Sequence, residues 1–190
     1  MFASTSRFPG LGRSLACVLL VVFAAAPAFP QTPYQPTENE VKAAFLYHFA
    51  QLVTWPEESD PATPITVAIV GPDPFGPKLE TTIGGQTVRG RTLRIVRAPT
   101  VAEIGGPAHI VFIGHKDRGE IDRALAALGK SPSLTVSATS GFAKRGGMVE
   151  FRLTPQERVT FDINVEAVGA AGLKMSSQLL KIARVVETGK

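Results

Sequence analysis

Between residues 37 and 56, apolar residues recur three and four positions apart, a spacing typical of an amphipathic helix. Thr37 and Glu40 have the spacing of a capping box, so the helix should begin at Thr37. Pro56 disfavours helical geometry at Trp55 and should end the helix there. The stripe of this predicted helix contains Val41, Ala44, Phe45, His48, Phe49 and Leu52.

Apolar runs alternate with helical segments through the middle of the sequence. Residues 65–70 and 109–114 are apolar at both alternating sets of positions, which indicates strands covered on both faces. Alternation of strands and helices favours a mostly parallel sheet with right-handed crossovers. The pattern predicts strands over 65–70, 93–96, 109–114 and 134–137, a turn over 71–76, and helices over 77–83 and 120–128.

After residue 147, apolar and polar residues alternate. Residues 148–153 and 158–163 flank a Thr-Pro-Gln-Glu turn and predict an antiparallel hairpin at one edge of the sheet. A short helix over 165–171 should follow. Ser176 or Ser177 can cap a final helix, which would carry Leu179, Leu180, Ile182, Ala183 and Val186.

Together, these patterns predict an α/β fold. Its mostly parallel central sheet should have helices on both faces and the antiparallel hairpin at one edge. No internal repeat or linker interrupts the later part of the sequence, so residues 37–190 are predicted to form a single domain.

The first 28 residues have the features of a secretory signal peptide. A basic start with Arg7 and Arg13 precedes an apolar run of twelve residues, and Ala-Pro-Ala at 26–28 matches a cleavage site. The run is shorter than the roughly 20 residues of a membrane span, although an uncleaved anchor is the alternative. We therefore expect an exported protein, with residues 29–36 as an extended linker.

Removal of the signal peptide changes the composition. The whole chain has 190 residues, a formal charge of +4 and one cysteine. Without residues 1–28 it has 162 residues, and the loss of Arg7, Arg13 and Cys17 leaves a charge of +2 and no cysteine. Disulfides and thiolate metal sites are then excluded, and a nearly neutral exported chain gives little support to nucleic-acid binding.

No catalytic motif is present among the histidines and serines. His48, His109 and His115 lack the spacing of metal ligands, and no cofactor or metal is predicted. Ser137 and Ser140 end a parallel strand, where ligand crevices open. They lie in no known nucleophile motif, so a hydrolase is only a third hypothesis, and the residues by themselves reveal no reaction.

Two groups of basic residues have alternative interpretations. Gly146 and Gly147, beside Lys144 and Arg145, could form an anion-binding nest, or could simply make the tight turn before the next strand. A second group surrounds the strand at 93–96 and is best explained as protection of an edge strand; it contains Arg89, Arg91, Arg94 and Arg97.

An ordered set of segments resembles the YfiR family. The first helix, VKAAFLYHFAQLVTWP at 41–56, is similar to that family's opening signature, with His48 where Asn is usual. The resemblance continues to the last helix through VGPDPFG at 70–76, GRTL at 90–93, HIVFI at 109–113, LTVS at 134–137, GFA at 141–143, GGMV at 146–149, FDIN at 161–164 and GLKMSS at 172–177.

This resemblance implies a periplasmic regulatory protein, not an enzyme. The protein would bind and repress the periplasmic part of an inner-membrane diguanylate cyclase. It also implies a homodimer and, as a second partner, an outer-membrane lipoprotein of OmpA type that sequesters the repressor. Relatives that serve sensor histidine kinases suggest the alternative function, a small-ligand-binding module. No nucleic acid is expected as a partner.

The resemblance also points to individual residues. It implies small-ligand binding near the turn before the last helix, at Lys174, Ser176 and Ser177. The family's disulfide-based redox control cannot apply without cysteines, and His109 stands where the family often has one.

Two further expectations concern the positions of a ligand cleft and of a partner interface. The ligand-binding hypothesis predicts a cleft near Ser137–Ser140, Arg145 and Lys174. A partner interface is predicted at the end of the first helix, at Tyr47, His48 and Trp55, since aromatic residues favour interfaces. For His48 a buried position is the alternative, and for Trp55 a place as a lid on the hydrophobic core.

Overall fold

Ten strands and five α-helices lie within residues 34–56 and 63–189, the part of the chain that the computed structural model describes. The helices are α1 (Glu38–Leu52), α2 (Lys78–Ile83), α3 (Arg118–Leu128), α4 (Val165–Ala170) and α5 (Ser177–Ile182). The strands are β1 (Val53–Thr54), β2 (Ile65–Val70), β3 (Thr87–Val88), β4 (Arg91–Ala98), β5 (Ile110–Ile113), β6 (Leu134–Ser137), β7 (Val149–Leu153), β8 (Val159–Asn164), β9 (Lys174–Met175) and β10 (Arg184–Val186).

Apart from Tyr34, the described residues belong to one compact unit, Gln35–Lys190. The signal peptide predicted over 1–28 lies outside the described residues, as does most of the linker predicted over 29–36. Both stay predictions. None of the described helices combines the length and apolar character needed to cross a membrane.

Eight strands form the central sheet in the order β10-β8-β7-β6-β5-β2-β4-β3. The middle of the sheet, from β4 through β2, β5 and β6 to β7, is parallel. Strands β7 and β8 form an antiparallel hairpin. The predicted α/β fold, with a mostly parallel sheet and an antiparallel hairpin, is therefore confirmed.

Apolar side chains on both faces of the sheet explain why its central strands are continuously apolar. All six residues of β2 and all four of β5 are buried. On one face, residues such as Val67 pack with α1, α2, α4 and α5, and on the other, residues such as Ala68 pack with α3. Because successive strand residues point to opposite faces, both faces need apolar side chains.

The end of the chain differs from the prediction of a helix that includes Val186. Helix α5 ends at Ile182, and Arg184–Val186 form β10, which pairs in parallel with β8. Arg184 donates to the buried carboxylate of Asp162 from Nε at 2.9 Å. The hairpin is therefore covered by one further strand at its outer side. A short apolar run without a clear period fits a helix or a strand, and here a distant ion pair favours the strand.

The predicted end of the first helix is also wrong by one turn. Its start is confirmed, since Thr37 and Glu40 form the capping box. Helix α1 stops at Leu52, however, and Val53–Thr54 form β1, which pairs antiparallel with β9. The N–H of Ser176 donates to the carbonyl of Leu52 at 2.8 Å and fastens this junction. The β-branched residues of β1 accommodate the extended backbone readily.

The basic strand β4 is longer than predicted and lies near one edge of the sheet. It spans Arg91–Ala98, and β3 covers its outer side only at Arg91 and Thr92. Within the described residues, the rest of that side has no strand partner. This position agrees with the interpretation of the arginines as protection of an edge strand.

Candidate functional site

The C-terminal end of α1 presents a polar surface that the β3–β4 turn holds in place. His48 is exposed, and its Nδ1 lies 3.2 Å from Oε1 of Gln51. Tyr47 is half-buried and donates its hydroxyl to the carbonyl of Thr87 at 3.3 Å. We call the surface of Tyr47, His48 and Gln51 the α1 face. The expected burial of His48 is wrong, whereas its role at an interface stays a prediction.

Arg89 is a structural part of this region that the sequence analysis assigned only to edge protection. Its Nη2 donates to the carbonyls of Gln51 at 2.9 Å and Val53 at 3.1 Å. Carbonyls at a helix C-terminus lack intrahelical donors, and a cation there also interacts favourably with the helix dipole. Arg89 therefore caps α1 from another part of the chain. Its position in the turn, with φ of 51°, gave no signal of this in the sequence.

Trp55 is not an exposed contact residue. Only 4% of its surface is accessible, and its indole Nε1 donates to the carbonyl of His109 at 2.9 Å. It belongs to the main apolar core, so the lid alternative describes it correctly. The structure thus separates Trp55 from the exposed part of the predicted interface.

His109 joins the starts of three neighbouring strands. The N–H of Thr66 donates to its Nδ1 at 3.1 Å, and Nη2 of Arg91 lies 2.8 Å from its Nε2. Arg91 is itself buried, and its Nε donates to the carbonyl of Thr63 at 2.6 Å. A hydrogen-bonded histidine therefore stands at the position where the resemblance leads one to expect cysteine.

The three residues predicted near the turn before the last helix lie together, but one of them, Ser176, has a structural role. Lys174 is exposed in β9, opposite Thr54. Ser176 caps α5, since its Oγ accepts from the N–H of Gln178 at 3.2 Å. Ser177 is the exposed first residue of α5. No described contact joins these residues to Arg145, and their combination in one ligand site stays a prediction.

Arg145 nevertheless has an unusual environment. Its Nε and Nη2 are buried, and no hydrogen-bond partner for them lies among the described residues. These atoms form one edge of the guanidinium, which matches the two oxygens of a carboxylate. Packing explains Gly147, because a Cβ there would lie 2.2 Å from Cε1 of Phe142, and the backbone φ of 93° explains Gly146. The tight-turn interpretation of Gly146 and Gly147 is sufficient.

The serines considered for catalysis are not arranged as nucleophiles. Ser137 is fully buried and donates to the carbonyl of Ile113 at 2.8 Å. Ser140 is exposed, and no described hydrogen bond joins either hydroxyl to a histidine. In the described part of the chain, no cluster of three His, Cys, Asp or Glu side chains could hold a metal ion.

Two adjoining clefts open beyond the carboxyl ends of β5 and β6. Their volumes are about 470 Å³ and about 280 Å³, and both are lined by Glu38, Lys42, Ala138 and Ser140. Of the predicted cleft residues, they contain Ser140 but neither Arg145 nor Lys174. Sequence reasoning missed Lys42, although the crevice itself follows from the order of the strands.

Comparison of the sequence with models of known protein families gives a match that covers most of the described chain. A family model described as YfiR/HmsC-like matches residues 39–184, from the first turn of α1 to the first residue of β10. The chain belongs to the YfiR/HmsC-like family. The resemblance identified in the sequence is thereby confirmed. At the level of the family, YfiR/HmsC-like proteins are periplasmic regulators of diguanylate cyclase signalling and are not catalysts.

Proposed function

We propose that this protein is a periplasmic repressor of an inner-membrane diguanylate cyclase. It would bind the periplasmic portion of the cyclase in its inactive state and so lower the cellular level of cyclic di-GMP. A ligand that binds one of two states shifts the equilibrium by its difference in affinity, so repression needs no chemistry. Membership of the YfiR/HmsC-like family is the observation that carries this proposal.

The α1 face is our proposed contact with the cyclase. His48 and Gln51 are exposed there, and the contacts of Tyr47 and Arg89 with neighbouring backbone hold the face in position. A preorganised surface loses little conformational entropy on binding, which favours its use at an interface. Trp55 would act indirectly, by supporting the end of α1 from the core.

The outer edge of β10 is our proposed homodimer contact. Val185 and Ile182 are both more than half exposed at this end of the sheet. In the described residues, no strand covers that edge, and an open edge with apolar neighbours favours pairing with another strand. We expect light scattering to show a dimer that V185K converts to monomer. A monomeric wild type, or a V185K dimer of unchanged stability, would contradict this contact.

A gene deletion tests the repressor role. Loss of the protein should raise cyclic di-GMP and biofilm, and plasmid-borne wild type should restore both. H48E should restore neither, because a charge at the α1 face weakens the contact. The matched control is A126E, which places the same charge on the exposed face of α3. Unchanged cyclic di-GMP in the deletion strain would refute the repressor.

Affinity purification from membranes then identifies the partners. Wild type should capture a diguanylate cyclase, and H48E should capture less of it. If an OmpA-type lipoprotein sequesters the repressor, it should compete with the cyclase for binding to the repressor.

The predicted signal peptide has a test of its own. Sequencing of the exported product should show an N-terminus after Ala28.

The buried edge of Arg145 favours a second candidate function, a small-ligand module that serves a sensor kinase. A carboxylate ligand would complete the two unpartnered guanidinium atoms, with Lys174, Ser176 and Ser177 as the other predicted ligand residues. Thermal-shift measurements with amino acids and nucleotides test this. Stabilisation that R145M and K174M both abolish would support the module, since ligands that bind the native state raise its stability.

A further inference from the structure

The order of the strands creates a crevice beside β2. The chain passes from β2 to β4 on one side and then returns to β5 on the other side of β2. The connections that leave β2 and β5 therefore diverge at the carboxyl ends of the strands. In open α/β sheets, ligands bind in the crevice at such a switch point.

The larger cleft lies beside this switch point. Pro74 contributes from the segment after β2, Gly114 and Lys116 from the segment after β5, and Ser140 from the segment after β6. The first two turns of α1 close the cleft through Glu38 and Lys42. Its volume of about 470 Å³ lies in the range of small-molecule sites.

Lys42 gives the cleft a buried positive charge. It is 7% exposed and lines both adjoining clefts. Its ammonium has three N–H donors, but the described contacts provide one acceptor, Glu38. Burial of an ammonium is costly unless its donors are satisfied. Two donors thus remain for a ligand in the cleft.

The other charges of the two clefts leave an excess of positive charge. Lys116 lies on the rim and is exposed, and Arg152 lies in the smaller cleft, where its Nη1 is 3.3 Å from Oδ2 of Asp162. The carboxylate of Glu150 also faces the smaller cleft, but it accepts the N–H groups of Gly141 and Ala143, each at 3.1 Å. Arg152 is thus paired with Asp162, whereas the larger cleft is lined by two cations, Lys42 and Lys116, and one carboxylate, Glu38.

We propose that this cleft binds a small organic anion whose carboxylate or phosphate group contacts the Lys42 ammonium. Lys116 adds a second positive charge at the rim. The hydroxyl of Ser140, for which no described hydrogen bond exists, can donate to the same group. This site differs from the one predicted at Lys174, Ser176 and Ser177, and it does not depend on the identity of a membrane partner.

Calorimetric titration of the purified protein tests the site. Succinate, citrate and inorganic phosphate are the probes, with sodium chloride used to hold the ionic strength constant. We expect saturable binding of at least one probe, and its nature distinguishes a carboxylate from a phosphate ligand. K42M should weaken that binding about tenfold or more. K130M removes the same charge at an exposed position outside the clefts and should bind like wild type.

K116M is a second test of binding that a folding defect in K42M does not affect, because Lys116 is exposed and its replacement should leave the fold intact. We expect it to weaken binding severalfold while the melting temperature of the unliganded protein stays unchanged. Amide NMR signals of Gly114 and Ser140 should shift during the titration of wild type. Absence of saturable binding by all three probes would overturn the proposal. Equal affinity of wild type, K42M and K116M would also overturn it.

Discussion

The indole of Trp55 contacts both the backbone carbonyl and the ring of His109. The indole Nε1 donates to the carbonyl of His109 at 2.9 Å, and the two rings meet edge to face with centroids 5.5 Å apart. Trp55 follows β1, and His109 precedes β5 in the centre of the sheet. This pair therefore fastens the end of α1 to the core, and the position of the α1 face depends on it.

Replacement of Trp55 should destabilise the protein in two distinguishable steps. W55F removes the indole donor, while the His109 carbonyl still accepts the N–H of Leu134 at 2.8 Å, so the loss should cost about 0.5–1.5 kcal/mol. W55A also leaves a cavity and should cost about 3–5 kcal/mol. Urea unfolding followed by circular dichroism measures both. L153A is the control, since Leu153 is substantially exposed; a W55F midpoint equal to wild type would contradict the role of the hydrogen bond.

The hydrogen bond from Arg97 holds the pKa of Glu80 below its ordinary value of 4.5. Because the pKa of Glu80 is lower in the folded protein than in the unfolded chain, the interaction with Arg97 stabilises the fold fully above the unfolded pKa. This stabilisation is lost as the pH falls through the folded pKa. Because both side chains are partly exposed, the gain should be below about 1 kcal/mol. NMR titration should show the Glu80 pKa rising in R97Q but not in R123Q. An unchanged pKa in R97Q would contradict the assignment.

Gly147 should not tolerate any side chain. A Cβ there would lie 2.2 Å from Cε1 of Phe142, a fully buried ring. G147A should therefore destabilise the protein by about 1–3 kcal/mol through overpacking. The matched control is Gly169 in α4, where a Cβ meets no atom within 4 Å. G169A should be neutral or stabilising by up to about 1 kcal/mol, and thermal melts of the two variants compare them directly.

The pairing of β10 should depend on Arg184. This residue donates to the buried carboxylate of Asp162, and that contact raises the pKa of the Arg184 guanidinium. In R184M, amide exchange at Val185 and Val186 should accelerate while exchange in β2 stays slow, since opening is local. R158M changes an exposed arginine without a described ion pair and should leave exchange unchanged. Equal protection of β10 in R184M and wild type would show that the ion pair is dispensable.

Periodicity alone was sufficient for much of the fold. The capping box located the start of α1, and continuously apolar runs located β2 and β5 with buried faces on both sides. These features are local, because a cap or a strand face depends on residues a few positions apart. The ordered set of segments was also sufficient for the family.

The candidate site was much less accessible to sequence reasoning. His48, Lys174 and Ser177 are exposed, but Trp55 is buried, and Arg145 lies in no described cleft with Lys174. An aromatic residue at the end of a helix fits a core or an interface equally well. Whether Trp55 joins the core or an interface depends on the residue that packs against it. Here that residue is His109, 54 positions away in the sequence.

The sequence by itself thus determined the local elements, the α/β class and the family. Only the tertiary structure decided that Val53–Thr54 and Arg184–Val186 are strands, because each pairs with a segment distant in sequence. It also decided that Lys42 is buried, since the position of the cleft results from the strand order around β2. Pairing and burial are set by the partners that the fold brings together, and a local pattern does not specify those partners.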